Sequence, residues 1–129
     1  MATYLDSSAI VMLAVREPES VALRRYLRRR EPLVSSALAR TEVLRALLPV
    51  GEEGVARGRH VLERLDLVRV NDRILNAAGS LRPPELRSLD AIHLATAHEL
   101  GDELGALVTY DDRMVAAAKR LGYRIVQPS

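Results

Sequence analysis

Four acidic residues occupy positions where a carboxylate is unfavourable unless something binds it: Asp6, Glu42, Asp90 and Asp111. Asp6 ends a short apolar segment, Thr3–Leu5, and Asp111 follows another, Ala106–Thr109. Glu42 and Asp90 lie near the starts of two segments rich in Ala, Leu, Val and Ile. Carboxylate oxygens are the ligands that hard divalent cations such as Mg²⁺ and Mn²⁺ prefer. If the fold brings the four together, they form an acidic metal site suited to chemistry on phosphodiesters.

Asp6 and Glu42 each have a local alternative. Asp6 could cap the helix that follows it, although Ser7 and Ser8 compete for that position. Glu42 could form a surface ion pair with a neighbouring arginine such as Arg45, which stabilises a helix by roughly a few tenths of a kcal/mol. Neither residue would point to a metal site if it stood alone.

The other two acids also have local alternatives. Asp90 lies in the first turn of a helix, where the helix dipole favours an anion. However, the segment Leu89–Ala97 is apolar almost throughout, which predicts a helix buried on most sides, and a buried carboxylate without a partner is costly. Asp111 is followed by Asp112, and we expect one of them to cap the last helix and the other to be free for chemistry.

Short apolar strands alternate with helices along the chain. The predicted strands are Thr3–Leu5, Leu33–Val34, Leu67–Val70, Ala106–Thr109 and Arg124–Val126. The predicted helices are Ala9–Val15, Pro18 to about Arg30, Ala37–Leu48, Gly51–Leu65, Asp72–Ala78, Leu89–Leu100 and Asp111–Leu121. The predicted helix caps include Ser7 or Ser8, Ser35 or Ser36, Asn71 or Asp72, and Ser88.

Strands this short and apolar, separated by helices, are typical of a mostly parallel sheet that helices cover on both faces. The pattern predicts an α/β protein, a three-layer α/β/α sandwich with about five strands, formed as one domain over residues 1–129. In such folds ligands bind beyond the carboxyl ends of the strands, at the point where the strand order reverses. Asp6 and Asp111 both stand at strand carboxyl ends, so we expect them to meet.

The composition excludes several classes of function. The chain has no cysteine, which excludes disulfides, zinc–thiolate sites and thiol catalysis. Neither a signal peptide nor an apolar stretch of the ~18 residues that a membrane span needs is present, so we expect a cytoplasmic protein without a membrane partner. The net charge of +2 is too small to indicate nucleic-acid binding by itself.

Arginine dominates the basic residues: 18 of the 19 are Arg, and Lys119 is the only lysine. Arginine suits phosphate recognition, although a GC-rich genome would produce the same bias. The segment from Arg24 to Arg30 presents a basic helix face, which is either a guide for phosphates or simply a solvated surface. Arg40 and Arg87 flank acidic positions, and Arg87 is the better candidate for phosphate contact.

The motifs around the four acids are Tyr4–Ala9, Arg40–Val43, Ser88–Ala95 and Val108–Asp111. Together and in this order, they resemble the four successive motifs of the PIN-domain ribonucleases, particularly the VapC-type toxins of bacterial toxin–antitoxin pairs. The resemblance spans the whole chain, and its most specific part is Leu-Asp-Ala-Ile-His-Leu-Ala at residues 89–95. The Thr-x-Asp pattern selects Asp111 rather than Asp112 as the fourth acid.

The resemblance implies a PIN-like fold and a metal-dependent endoribonuclease that cleaves RNA phosphodiesters with a metal-activated water. Asp6 and Asp90 are then the principal ligands of Mg²⁺ or Mn²⁺, and Glu42 and Asp111 complete the catalytic set. The resemblance also implies a cognate antitoxin protein as partner and a homodimer.

Three further residues lie within these motifs. Ser7 and Thr109 are expected to hydrogen-bond the acidic side chains and orient them. His93 could orient a carboxylate or act as a base, but a histidine packed in the helix is the favoured interpretation.

A non-enzymatic alternative remains open: an α/β binding module whose acidic pocket receives a basic segment of a partner. A phosphatase of the haloacid-dehalogenase kind is disfavoured, because it requires a second aspartate where this chain has Ser8.

Overall fold

The structure is a computed structural model that describes all residues from Met1 to Ser129. Its five strands are β1 Ala2–Leu5, β2 Leu33–Ser36, β3 Asp66–Val68, β4 Leu104–Val108 and β5 Ile125–Val126. Its seven α-helices are α1 Ser7–Ala14, α2 Pro18–Leu27, α3 Ala39–Leu47, α4 Glu52–Glu63, α5 Asp72–Gly79, α6 Ser88–His98 and α7 Asp112–Arg120. Two 3-10 turns, Leu48–Val50 and Gly101–Glu103, complete the elements. No helix is both long enough and apolar enough to cross a membrane.

The five strands form one sheet in the order β3-β2-β1-β4-β5, and every pairing is parallel. The strand order reverses between β1 and β4: β2 and β3 follow β1 on one side of it, and β4 and β5 lie on the other side. The carboxyl ends of β1 and β4 therefore flank the crevice where such sheets bind ligands.

Alternation along the strands divides the core between the two faces of the sheet. Leu5 of β1 and Val108 of β4 pack with α1, α2, α3 and α4 in one buried cluster. Their neighbours Tyr4 and Leu107 pack with α6 and α7 in the other. Helices thus cover both faces, and the predicted three-layer α/β/α architecture is confirmed.

Two glycines let α4 approach its neighbours closely. A Cβ on Gly58 would stand 2.4 Å from a methyl carbon of Leu47, and one on Gly54 would stand 2.5 Å from Val50. Glycine lowers the stability of a helix interior, but the packing of α4 requires it at these two positions.

The caps predicted at Ser7 or Ser8 and at Ser88 are wrong, and the alternative that Asp6 caps α1 is confirmed. The cap of α1 is Asp6, whose side chain accepts a hydrogen bond from the backbone N–H of Ala9. Ser88 is the first residue of α6, and Arg87 precedes it as the cap residue. Serine and aspartate are near-equal cap formers, so their order along the chain does not decide which one serves.

The segment after β2 also differs from prediction. Ser35 and Ser36 belong to β2, where they pair with β3 residues, instead of initiating a helix. The helix α3 begins only at Ala39, with Leu38 before it. Two buried serines extend the strand because pairing with β3 satisfies their backbone groups. The predicted cap at Asn71 is confirmed. The other helix and strand bounds agree with prediction to within three residues.

Candidate active site

The acidic residues gather at the carboxyl edge of the sheet. Asp6 immediately follows β1, and Thr109 and Asp111 follow the adjacent strand β4. The backbone N–H of Asp6 bonds to the carbonyl of Val108 at 3.2 Å, which joins the two strand ends directly. Helices α3 and α6 bring Glu42 and Asp90 to the same edge from opposite faces of the sheet.

Asp6 is buried, and both of its carboxylate oxygens accept hydrogen bonds. Oδ1 accepts from the Ser8 hydroxyl at 2.6 Å and from the Ala9 N–H at 3.0 Å. Oδ2 accepts from the hydroxyl of Thr109, which in turn accepts from the backbone N–H of Asp111 at 3.1 Å. The β1–α1 turn and the β4–α7 turn thereby hold one carboxylate between them.

Burial nevertheless dominates the acid chemistry of Asp6. Removal from water raises the pKa of this carboxyl above its ordinary value of 3.8, and the hydrogen bonds from Ser8, Thr109 and the Ala9 N–H only partly offset the rise. Burial therefore destabilises the ionised form of Asp6. A cation at this edge would stabilise the ionised form.

Glu42 has a different set of partners. Its Oε1 accepts from the Ser7 hydroxyl at 2.6 Å and from Nε2 of His93 at 2.7 Å. Because a carboxylate only accepts, Nε2 carries a proton. Nδ1 of His93 lies 2.8 Å from the hydroxyl of Tyr4, which donates to it when the imidazole is neutral. A buried chain of hydrogen bonds thus runs from β1 through α6 to α3.

This chain favours the ionised form of Glu42. Burial alone would raise its pKa, but the hydrogen bonds from His93 and Ser7, together with the charge of His93, lower the pKa below its ordinary value of 4.5. The protein therefore favours the ionised form of Glu42 and disfavours the ionised form of Asp6.

Asp90 senses the other acids directly. Partial burial raises its pKa above 3.8; the charge of Asp111 raises it further, and Asp6 and Glu42 add smaller effects in the same direction. His93 acts in the opposite direction. The carboxylates of Asp6, Glu42 and Asp111 therefore all lie within electrostatic reach of Asp90.

The acids do not form a closed metal cage. No group of three or more His, Asp and Glu side chains is arranged so that it could hold an ion by itself. Magnesium commonly binds through one or two carboxylates and keeps several of its waters. An ion at this edge would therefore have at most two of these side chains as ligands and would have to keep several of its waters, which is compatible with a hard cation.

One of the two adjacent aspartates caps α7, as expected, and it is Asp111, the residue selected as the fourth acid. Asp111, the acid that acts on Asp90, is also the cap of α7, since its Oδ1 accepts from the Arg113 N–H at 2.9 Å. Asp112 is exposed at the first position of the helix. One residue can serve both purposes because a carboxylate has two oxygens.

The hydrogen bonds expected of Ser7 and Thr109 are confirmed. His93 is the packed helix residue that was favoured, 2% exposed, and it also orients a carboxylate, that of Glu42. The role of Tyr4 is not among the sequence predictions, although a tyrosine in a buried strand signals a hydroxyl that must find a partner. Ser8 hydrogen-bonds the Asp6 carboxylate instead of serving as the helix cap.

The arginines divide between two places. Arg87 lines a groove beside Asp90, together with Arg113 and Arg120. Arg24 and Arg28 instead line a depression beside Leu33, the first residue of β2, and thus lie toward the amino edge of the sheet. The α2 arginines are therefore not neighbours of the acids.

Comparison with known proteins gives a consistent result. The family model of the PIN domain matches residues 3–120. Ribonuclease VapC46 of Mycobacterium tuberculosis is 66% identical over 128 residues, which span 99% of this chain and 98% of the relative. The solved structure of M. tuberculosis VapC20, a sarcin-ricin loop cleaving toxin, matches 98% of this chain and 99% of its own with a TM-score of 0.78 at 16% identity. A toxin–antitoxin complex from Klebsiella pneumoniae covers 98% of both chains with a TM-score of 0.73 at 22% identity.

Proposed function

This chain belongs to the PIN-domain family and, within it, to the VapC ribonucleases, and from that premise we propose that it is a metal-dependent endoribonuclease and the toxin of a toxin–antitoxin pair. The proposal treats residues 1–129 as a single nuclease domain. The observation that carries it is the convergence of Asp6, Glu42, Asp90 and Asp111 at the switch point of the sheet, with Asp6 buried and fully hydrogen-bonded.

Asp6 and Asp90 are the proposed ligands of Mg²⁺ or Mn²⁺. Both carboxyls have raised pKa values, caused first by burial and, for Asp90, by the negative charge of its neighbours. A divalent cation offsets that repulsion, lowers the pKa of water at the site and stabilises the charge that develops on a phosphate. Mg²⁺ and Mn²⁺ both suit a donor set made only of oxygen.

The protein's own side chains orient the reaction. Glu42, whose ionised form is favoured by His93 and Ser7, accepts both of its hydrogen bonds through Oε1, so its Oε2 would be available to accept from the attacking water. Asp111 supports the same water network while its Oδ1 anchors α7. Thr109 couples the two strand ends, since its hydroxyl contacts Asp6 and receives the N–H of Asp111.

RNA is the proposed substrate, since the close relative is named a ribonuclease. The proposed partners are a cognate antitoxin that blocks the acidic edge and a second copy of the chain in a homodimer. The proposed location is the cytoplasm, where RNA and an antitoxin are both present.

The decisive experiment compares three aspartate variants. Protein freed of any partner is incubated with labelled single-stranded RNA in Mg²⁺ or Mn²⁺. We expect Asp6→Asn and Asp90→Asn to lower the cleavage rate by about 100-fold or more, because each removes a charge that holds the cation. The matched control is Asp112→Asn. It removes an exposed carboxylate directly beside Asp111, and this variant should cleave RNA like the parent.

Equal cleavage by all three variants and the parent would show that the activity belongs to a contaminating nuclease or to another site. An inactive parent that still binds a basic antitoxin segment through Asp6 and Asp90 would support the binding-module alternative instead.

A further inference from the structure

A groove of about 400 Å³ opens next to Asp90, between the segment that leads into α6 and the outer face of α7. Arg87 lies on the α6 side, and Arg113 and Arg120 lie on α7. The volume is within the range of sites that hold small organic molecules. None of the residues assigned to the acidic site except Asp90 reaches it.

The α7 face of the groove is built by helical spacing. Arg113, Ala116, Ala117 and Arg120 stand at positions i, i+3, i+4 and i+7, which lie on one side of a helix. The two arginines therefore mark the ends of an apolar alanine floor, about 10.5 Å apart along the helix axis. The alanines leave open a space that any larger side chain would occupy.

The charges of the groove are available to a ligand. All three arginines are exposed, and none forms an ion pair; Arg73 is the one arginine of the chain that does, with Glu99 at 3.6 Å. Leu86 and Ala116 contribute apolar surface between the charges. A strand of RNA alternates anionic phosphates with the flat faces of bases, so its chemistry matches a floor without charge between cationic ends.

We propose that this groove is a nucleotide subsite, which binds the RNA on one side of the phosphate that is cleaved at Asp90. Arg113 and Arg120 contact phosphates, Arg87 contacts the phosphate nearest to Asp90, and the alanine floor accepts a base or ribose. The inference rests on the proposed ribonuclease function. It adds the direction in which the bound RNA extends from the acidic site. Glu85 and Asp90 also line the groove, so its three arginines lie beside two carboxylates. The apolar alanine floor favours RNA over an acidic peptide, which has no flat apolar surface between its charges.

The test compares two double variants with the same change in charge. Arg113→Ala/Arg120→Ala removes the groove arginines, and Arg24→Ala/Arg28→Ala removes two arginines at the amino edge of the sheet. For cleavage of a short single-stranded RNA, we expect the groove variant to raise KM by about 10-fold or more. We also expect it to reduce the slope of log KM against log salt by about 1.4, which is two phosphate contacts at about 0.7 each. The amino-edge variant should leave both quantities close to those of the parent.

A second pair of variants tests the floor. Ala116 is exposed, so a longer side chain there is compatible with folding. We expect Ala116→Glu to raise KM by about 10-fold, because it fills the groove and adds a negative charge, and Ala116→Gln to have a smaller effect. Unchanged melting curves establish that both variants are folded.

The outcomes separate the subsite from the proposed function. If the parent cleaves RNA and the groove variants match the amino-edge variant, the subsite is wrong and the ribonuclease stands. If the parent is inactive, binding of fluorescent RNA by the two double variants tests the groove alone, and equal binding would overturn it. Loss of antitoxin binding with unchanged RNA binding would assign the groove to the antitoxin and overturn the proposal.

Discussion

The Asp6 side and the Glu42 side of the candidate site hold their carboxylates in opposite ways. On the Asp6 side, neutral donors from two adjacent turns bind both oxygens of a buried carboxylate. On the Glu42 side, one oxygen of a partly exposed carboxylate accepts hydrogen bonds from a serine and from a histidine that is itself fixed by Tyr4. The pKa of Asp6 is raised and that of Glu42 is lowered.

The difference shows that geometry and charge are controlled separately. Neutral hydroxyl and N–H groups orient Asp6 without supplying positive charge, so burial raises the pKa of its carboxyl, and the proposed cation would favour the ionised form. His93 supplies Glu42 with a donor that can carry charge, so Glu42 needs no ion to remain a carboxylate. The affinity for a cation should therefore depend on the Asp6 side much more than on the Glu42 side.

The largest effect on stability is expected from His93→Ala. This change opens a cavity and leaves the Tyr4 hydroxyl without its partner, so the free energy of unfolding should fall by about 3 kcal/mol or more. Denaturant unfolding measures the loss. The Asp6 side offers Ser8→Ala as the comparison, with an expected loss of about 1 kcal/mol. Equal losses would show that the two sides are equally embedded in the core.

Metal binding should separate the two sides next. Mn²⁺ at about 100 times its Kd should raise the free energy of unfolding of the parent by about 2.7 kcal/mol, since the ion binds only the folded state. We expect Asp6→Asn to abolish this gain and Glu42→Gln to retain most of it. Melting curves with and without Mn²⁺ provide the measurement, and a gain that survives in Asp6→Asn would place the ion elsewhere.

Thr109→Val and Ser7→Ala compare single hydroxyls that orient the two carboxylates. Each removes one buried or partly buried hydrogen bond, at a cost of about 1 kcal/mol. Thr109→Val should also lower the affinity for Mn²⁺ by about 10- to 100-fold, because the hydroxyl positions a proposed ligand. Ser7→Ala should reduce cleavage while leaving Mn²⁺ affinity near that of the parent. Titration of both variants with Mn²⁺ measures the two affinities.

The smallest expected effect is the pH dependence of stability without metal. Because the pKa of Glu42 is lowered in the folded state, its contribution is present above about pH 4.5 and is lost as pH falls through the lower folded value. The raised pKa of Asp6 has the opposite sign: its contribution is complete below 3.8 and is lost as pH rises. At neutral pH, Glu42→Gln should therefore melt below the parent and Asp6→Asn above it. Shifts of the same sign would contradict the difference between the two sides.

Much of the site could be read from the sequence because its acids follow local signals. Asp6 and Asp111 stand where apolar strands end, and Asp90 interrupts a helix that is otherwise apolar. The contacts of Ser7 and Thr109 were accessible as well, since both adjoin an acid or a strand end. Sequence alone assigns the cap of α1 wrongly because Asp6, Ser7 and Ser8 are near-equal cap formers at successive positions, whereas the cap at Asn71 is among those predicted.

The sequence by itself determined the alternation of strands and helices, the parallel three-layer class and the position of each acid relative to its element. These are consequences of apolar periodicity, which acts over a few residues. Only the tertiary structure decided that Tyr4 reaches His93, 89 positions away, and that His93 reaches Glu42, 51 positions away. It also decided that Arg87 faces the alanine floor of α7. Partners so distant in the chain are selected by packing across the sheet, and no local pattern records which side chains will meet.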